Sequence, residues 1–160
     1  MTADLEDTLY LDVPAGRVVI EMRPDLAPGH CAHIKGLVRR GFYDGIVFHR
    51  VIAGFMAQTG DPTGTGSGGS GKTIKAEFSA EPHVRGTLSM ARASDPNSAD
   101  SQFFICFADA GFLDRQYTVW GAVVSGMEFV DAIKKGDARS GAVVNPDKIL
   151  KMQVAADVAS

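Results

Sequence analysis

Arg50 stands inside an alternating run, Val47-Phe48-His49-Arg50-Val51, which is followed by Gly54-Phe55-Met56-Ala57-Gln58. An arginine among apolar strand residues is either neutralised by a carboxylate or held as a donor facing a ligand, and the run by itself admits both. In a strand His49 and Arg50 point to opposite faces, so His49 reads as a buried, hydrogen-bonded structural side chain. The stretch Gly66-Ser67-Gly68-Gly69-Ser70-Gly71-Lys72-Thr73 satisfies GxxxxGK[ST]. In that pattern backbone N–H groups and Lys72 would hold phosphates, with Thr73 on a metal. The run FFICFAD, ending at Asp109, could imitate a magnesium-binding strand end. The context opposes nucleotide binding. Polar residues 58–65 separate the apolar run from Gly66, and Pro82 stops any helix soon after Thr73. Residues 87–124 offer none of the crossover helices that a parallel sheet requires.

Histidine and serine chemistry fare no better. His30 and His33 lie three apart on an expected helix, but zinc needs three or four ligands, and they read as polar residues of the helix surface with no metal. Ser89 and Ser101 flank strands without the GxSxG elbow of a hydrolase. Cys31 and Cys106 have no CxxC spacing, and Cys106, in the apolar run FFICF, reads as a small buried hydrophobe.

The elements that must position these residues follow from periodicity. Thr8–Val13 and Arg17–Met22 read as a hairpin about Pro14-Ala15-Gly16. Residues 24–40 read as a helix, with Pro28 in its first turn, Gly41 as its stop, and Cys31, Ile34, Leu37 and Val38 on one face. Residues 42–57 read as two strands bent at Gly54, and the glycine-rich stretch 59–72 as a long exposed loop. Residues 87–91, 102–107 and 118–124 read as strands, 127–135 as a helix closed by Gly136, and 149–158 as a last strand. Many short strands with helices near both ends, and no βαβ alternation, predict a mainly β protein: a closed eight-stranded antiparallel barrel capped by two α-helices. A chain of 160 residues corresponds to one domain, residues 1–160, with a core at about 8–158.

A net charge of −3 and isolated basic pairs lack the footprint of a nucleic-acid binder. No apolar run reaches the ~18 residues a membrane span needs. The acidic start, without an apolar h-region, gives no secretory signal. The expectation is a cytoplasmic monomer.

Phe48-His49-Arg50-Val51-Ile52-Ala53-Gly54-Phe55-Met56-Ala57-Gln58 closely resembles the cyclophilin signature, whose usual form is FHRVIPGFMxQGGD. Asp61–Gly66, Leu88–Arg92, Ser101–Ile105, Phe112–Asp114 and Tyr117–Gly121 match further blocks in family order, so the likeness spans nearly the whole chain. The resemblance implies a peptidyl-prolyl cis-trans isomerase without cofactor that assists folding. Its implied partners are proline-containing peptides and unfolded or folded protein clients. It implies Arg50 as the catalytic residue and Phe55, Met56, Phe104 and Leu113 as walls of the proline pocket. Gln58 and the backbone of Arg92 would hold substrate carbonyls, Phe112 and Tyr117 would form the rim, and Ala91 and Gln102 would line a neighbouring groove. A proline-motif binding module with incidental catalysis is the alternative.

Departures from the signature carry expectations too. Ala53 replaces a frequent Pro and Thr59 a frequent Gly, both away from the expected pocket. Phe112 stands where many eukaryotic members carry Trp, whose indole N–H serves cyclosporin binding, so weaker cyclosporin binding with retained activity is expected. Tyr117 stands where many members have His.

Overall fold

The computed structural model describes residues 4–158. Eight antiparallel strands form one curled sheet: β1 Thr8–Val13, β2 Gly16–Met22, β3 Arg50–Ile52, β4 Met56–Thr59, β5 Thr87–Met90, β6 Phe103–Cys106, β7 Val119–Ser125 and β8 Lys151–Val154. Their order across the sheet is β3-β4-β6-β5-β7-β2-β1-β8. β1 and β2 pair from Thr8↔Glu21 to Val13↔Gly16, as a short hairpin requires. Their alternate residues Leu9, Leu11, Val18 and Ile20 are fully buried.

The expected closure does not form. β3 and β8 are the sheet edges, and among the described residues only single bridges, Val47↔Lys148 and Arg50↔Ala142, lie near the seam. The seam segment contains Asn145 in the left-handed region (φ 51) and Pro146, which has no N–H to donate to a ladder. The sheet is a half-barrel.

α1 spans Pro28–Arg39 with proline in its first turn, four residues later than the start expected from sequence. It buries the predicted Cys31, Ile34, Leu37 and Val38, and also His30. It ends in a Schellman motif. The N–H of Phe42 donates to Leu37 O and that of Gly41 to Val38 O, with Gly41 at φ +72, where a Cβ would be strained. α2 is only Met127–Asp131. Beyond it the backbone turns to other partners: Lys134 N donates to Asp147 and Gly136 N to Val51 O. The expected last strand is split into β8 and a third helix, α3 Ala155–Val158. Val154 pairs with Leu9, one residue from the start of β1, so the chain beyond it has no strand to join. In the core, Tyr43, Phe103 and Trp120 meet edge-to-face at 5.4–5.5 Å. Among the described residues, no helix is long and apolar enough to cross a membrane.

Candidate active site

The register of four strands builds the floor of the site. Arg50 on β3 faces Gln58 on β4, Gln58 faces Phe104 on β6, and Phe104 faces Ser89 on β5. A second row, Ile52, Met56 and Cys106, lies two residues along. Because side chains alternate across a strand, the residues between them go the other way. Val51, Ala57, Ile105 and Leu88 join the main core, while Met56, Phe104, Cys106, Ala110 and Leu113 form a separate apolar cluster.

That cluster lines a cavity of about 160 Å3. Met56, Phe104 and Leu113 form its buried wall, with Phe55, Ala91 and Tyr117 around it and Arg50, Gln58 and Arg92 on its polar side. Leu113 arrives on a short 3₁₀ turn, Gly111–Leu113. Phe112 lies outside the lining. It is 67% exposed, its ring 5.5 Å from that of Phe55, as a rim residue would be. A wider groove of about 470 Å3 adjoins the cavity and shares Gln58, Ala91 and Arg92 with it. Gln102 lies in that groove. Ten of the eleven positions indicated by the sequence thus line this cleft, and Phe112 stands beside it against Phe55.

Arg50 has no carboxylate partner among the described residues, so the ion-paired alternative is not realised. Its Nε donates to the Ser140 carbonyl (3.1 Å) and its Nη1 to Gln58 Oε1 (3.2 Å). Of the five guanidinium protons, those on Nη2 and one on Nη1 have no partner among the described residues. Gln58 Nε2 donates on to Gln102 Oε1 (2.9 Å), and Gln102 Nε2 donates to the carbonyls of Gly66 and Gly68. A chain of directed hydrogen bonds therefore runs from the guanidinium to the glycine-rich loop. Arg92 lies over the Tyr117 ring at 4.6 Å, and its guanidinium donates to the Gln116 carbonyl.

The glycine-rich loop is an anion cradle, but the anions are the chain's own carboxylates, Asp61 within the loop and Asp100 beyond it. Asp61 accepts from the backbone N–H groups of Thr63, Thr65 and Gly66, and Asp100 from Gly71 N–H and the Ser70 hydroxyl. Burial alone would raise the Asp61 carboxyl; the bonds from Thr63, Gly68 and Gly66 outweigh it and hold the group well below the carboxylate range. A Cβ on Gly68 would collide with Asp61 Oδ1, so glycine is required for this approach. No helix follows Thr73, where Ile74 bridges Ala99.

Other residues depart from their sequence reading. His30 is fully buried, with Nδ1 2.6 Å from Glu77 Oε1. Burial lowers its pKa, against the opposing pull of Glu77. His49 is only partly buried, and its Nδ1 has no partner among the described residues. Among the described residues, no cluster of three metal-ligating side chains occurs. Ser140, ninety residues from Arg50, and His83, behind Phe104, carried no signal in the sequence: one acts through its carbonyl, and the other lies outside the matched blocks.

The family model for cyclophilin type peptidyl-prolyl cis-trans isomerase/CLD matches residues 8–154. A probable peptidyl-prolyl cis-trans isomerase of Brucella suis is 56% identical, over 97% of this chain and 86% of the relative. Peptidyl-prolyl cis-trans isomerase B of Bacillus subtilis is 46% identical, over 80% of this chain and 90% of the relative. The crystal structure of a cyclophilin from Hirschia baltica superposes with a TM-score of 0.89 at 28% identity, covering 99% of this chain and 77% of that one. A cyclophilin type isomerase from Cryptosporidium parvum, crystallised in the presence of the dipeptide Ala-Pro, gives 0.85 at 30% identity, covering 92% and 98%. On the fold, the relatives and the matched span together, this chain belongs to the cyclophilin-type peptidyl-prolyl cis-trans isomerases, and its activity is isomerisation of prolyl peptide bonds.

Proposed function

We propose that the chain binds the ring of a substrate proline in the cavity of Phe55, Met56, Phe104 and Leu113, and that Arg50 lowers the barrier to rotation of the preceding peptide bond. The barrier is about 18–20 kcal/mol because twisting breaks amide resonance. No bond is cleaved, so the catalyst needs only to bind the twisted amide better than the planar one. In the twisted form the proline nitrogen becomes pyramidal and gains a lone pair. The uncommitted protons of Arg50 are donors suited to that nitrogen, and an always-charged guanidinium draws density from the C–N bond. Gln58, the Arg92 backbone, Ala91 and Gln102 hold the chain on one flank while the other rotates. Phe112 and Tyr117 form the rim. An apolar wall that excludes water strengthens the field of the charge.

The observation that carries this reading is a half-buried arginine with no carboxylate partner among the described residues, fixed at two nitrogens and lining an apolar cavity. The protein acts without a cofactor, as a single-domain monomer, on prolines of protein clients. Arg50→Ala should lower kcat on a prolyl peptide about a hundredfold or more, the scale for a lost transition-state donor. Turnover near wild type would overturn the mechanism.

A further inference from the structure

His83 lies directly behind the floor of the pocket. Its ring stacks on Phe104 with centroids 6.3 Å apart and planes at 19°. Nδ1 is 3.0 Å from Asp114 Oδ1, which also accepts the His83 backbone N–H at 2.8 Å, and Nε2 is 2.8 Å from Ser89 Oγ. Serine, imidazole and carboxylate are thus linked as in a nucleophilic triad. Ser89 and His83 are, however, 0% and 1% exposed, and the Ser89 hydroxyl also lies 3.1 Å from the Thr118 carbonyl. A substrate carbonyl has no approach to the serine oxygen, so hydrolysis is not what this arrangement does.

What it joins is two walls of the pocket. Asp114 directly follows the turn that carries Leu113, and Ala110, just before that turn, donates its N–H to the His83 carbonyl at 2.9 Å. The turn is therefore pinned at both ends to one residue. At the other end of the imidazole, Ser89 is the register partner of Phe104. The Ser89 hydroxyl donates its one proton to the Thr118 carbonyl and its oxygen also meets Nε2, so the imidazole bridges Asp114 and Ser89.

We propose that His83 is a positioning residue that sets the Leu113 wall against the Phe104 floor, and so governs how tightly the proline ring is held. The proposal rests on the reading of this cavity as the proline site. The ring itself does not change shape as the bond twists, so its grip is the same in ground and transition states. Such uniform binding appears in KM and not in kcat.

The test compares His83→Phe, which keeps a ring against Phe104 but removes both nitrogens, with His83→Asn, which restores a donor near the Nδ1 position, and with Arg50→Ala. Steady-state kinetics on a prolyl tetrapeptide should show His83→Phe raising KM about tenfold at near-wild-type kcat, with His83→Asn recovering most of the loss. Arg50→Ala should show the opposite split. An unchanged KM for His83→Phe, or a fall in kcat alone as from a smaller folded fraction, overturns the positioning role while leaving the Arg50 result intact. Wild-type turnover in Arg50→Ala would instead remove the reading beneath it. If His83→Phe does not fold, Asp114→Ala, at a partly exposed carboxylate, cuts the same clamp. It too should raise KM, and an unchanged KM there overturns the proposal.

Discussion

Along β4, Met56 and Gln58 stand two residues apart on the same face. Met56 belongs to a packed apolar wall, whereas Gln58 belongs to a hydrogen-bonded chain that leaves the sheet for the glycine-rich loop. The wall needs only residues of the right volume, because burial is non-directional. The polar side needs each donor aimed at its acceptor, and its far end rests on a loop whose ballast is two carboxylates. One half of the cleft is held by packing and the other by geometry, so damage to each should show in a different measurement.

The largest effect should come from the wall. Phe104→Ala empties a buried ring site and is expected to cost about 3–5 kcal/mol of stability, the range for truncating a buried aromatic. Denaturant unfolding reads this, and a loss below ~1 kcal/mol would mean that the wall is not close-packed. Next is the ballast. Asp61→Ala removes a largely buried carboxylate and strands the backbone donors of Thr63, Thr65 and Gly66. About 1–3 kcal/mol should be lost, the cost of leaving a buried polar group unpaired, with faster amide exchange confined to residues 62–71. Exchange that spreads into β4 and β6 would show that the two halves are not separable.

Acid should act first on two histidines outside both halves of the cleft, and only later on the loop. Burial lowers the pKa of His30, against the pull of Glu77, and that of His49 as well. As pH falls below about 6.5 the unfolded chain takes up these protons first, so stability falls, by at most ~1.4 kcal/mol per pH unit for each histidine. The depressed Asp61 carboxyl contributes stability above about pH 4 that is lost only as pH falls further. A melting temperature that is flat from pH 8 to 5 would contradict the histidine directions. The smallest effect should come from adding direction to the apolar half. Phe112→Trp gives the exposed rim an N–H, and cyclosporin binding should tighten about threefold to tenfold, as for one hydrogen bond. Unchanged affinity in calorimetry would mean that the rim acts by area alone.

Much of the apolar half was legible in the residues. Phe55, Met56, Phe104 and Leu113 fall in blocks of strong family likeness, and period-two alternation separates Phe104 from Phe103 once a strand is assumed. The cyclophilin likeness also located Gln58 and Gln102, though not their mutual bond. The glycine-rich loop misled by composition. Its GxxxxGKT pattern suggests phosphate and its glycines suggest an open loop, yet its donors turn inward to Asp61 and Asp100.

Residue types and their order determined most of the strands, the helix stop at Gly41, the family and most of the residues that line the cleft, because those depend on local periodicity, local backbone limits and matched blocks. Three things waited for the folded chain: the open seam, the choice of Ser140 and Gln58 over a carboxylate for Arg50, and the clamp of His83 on Asp114 and Ser89. Each joins a side chain or backbone group to one that the sequence does not mark as its partner. A hydrogen bond acts over about 3 Å, and only the curl of the sheet brings such groups within that reach.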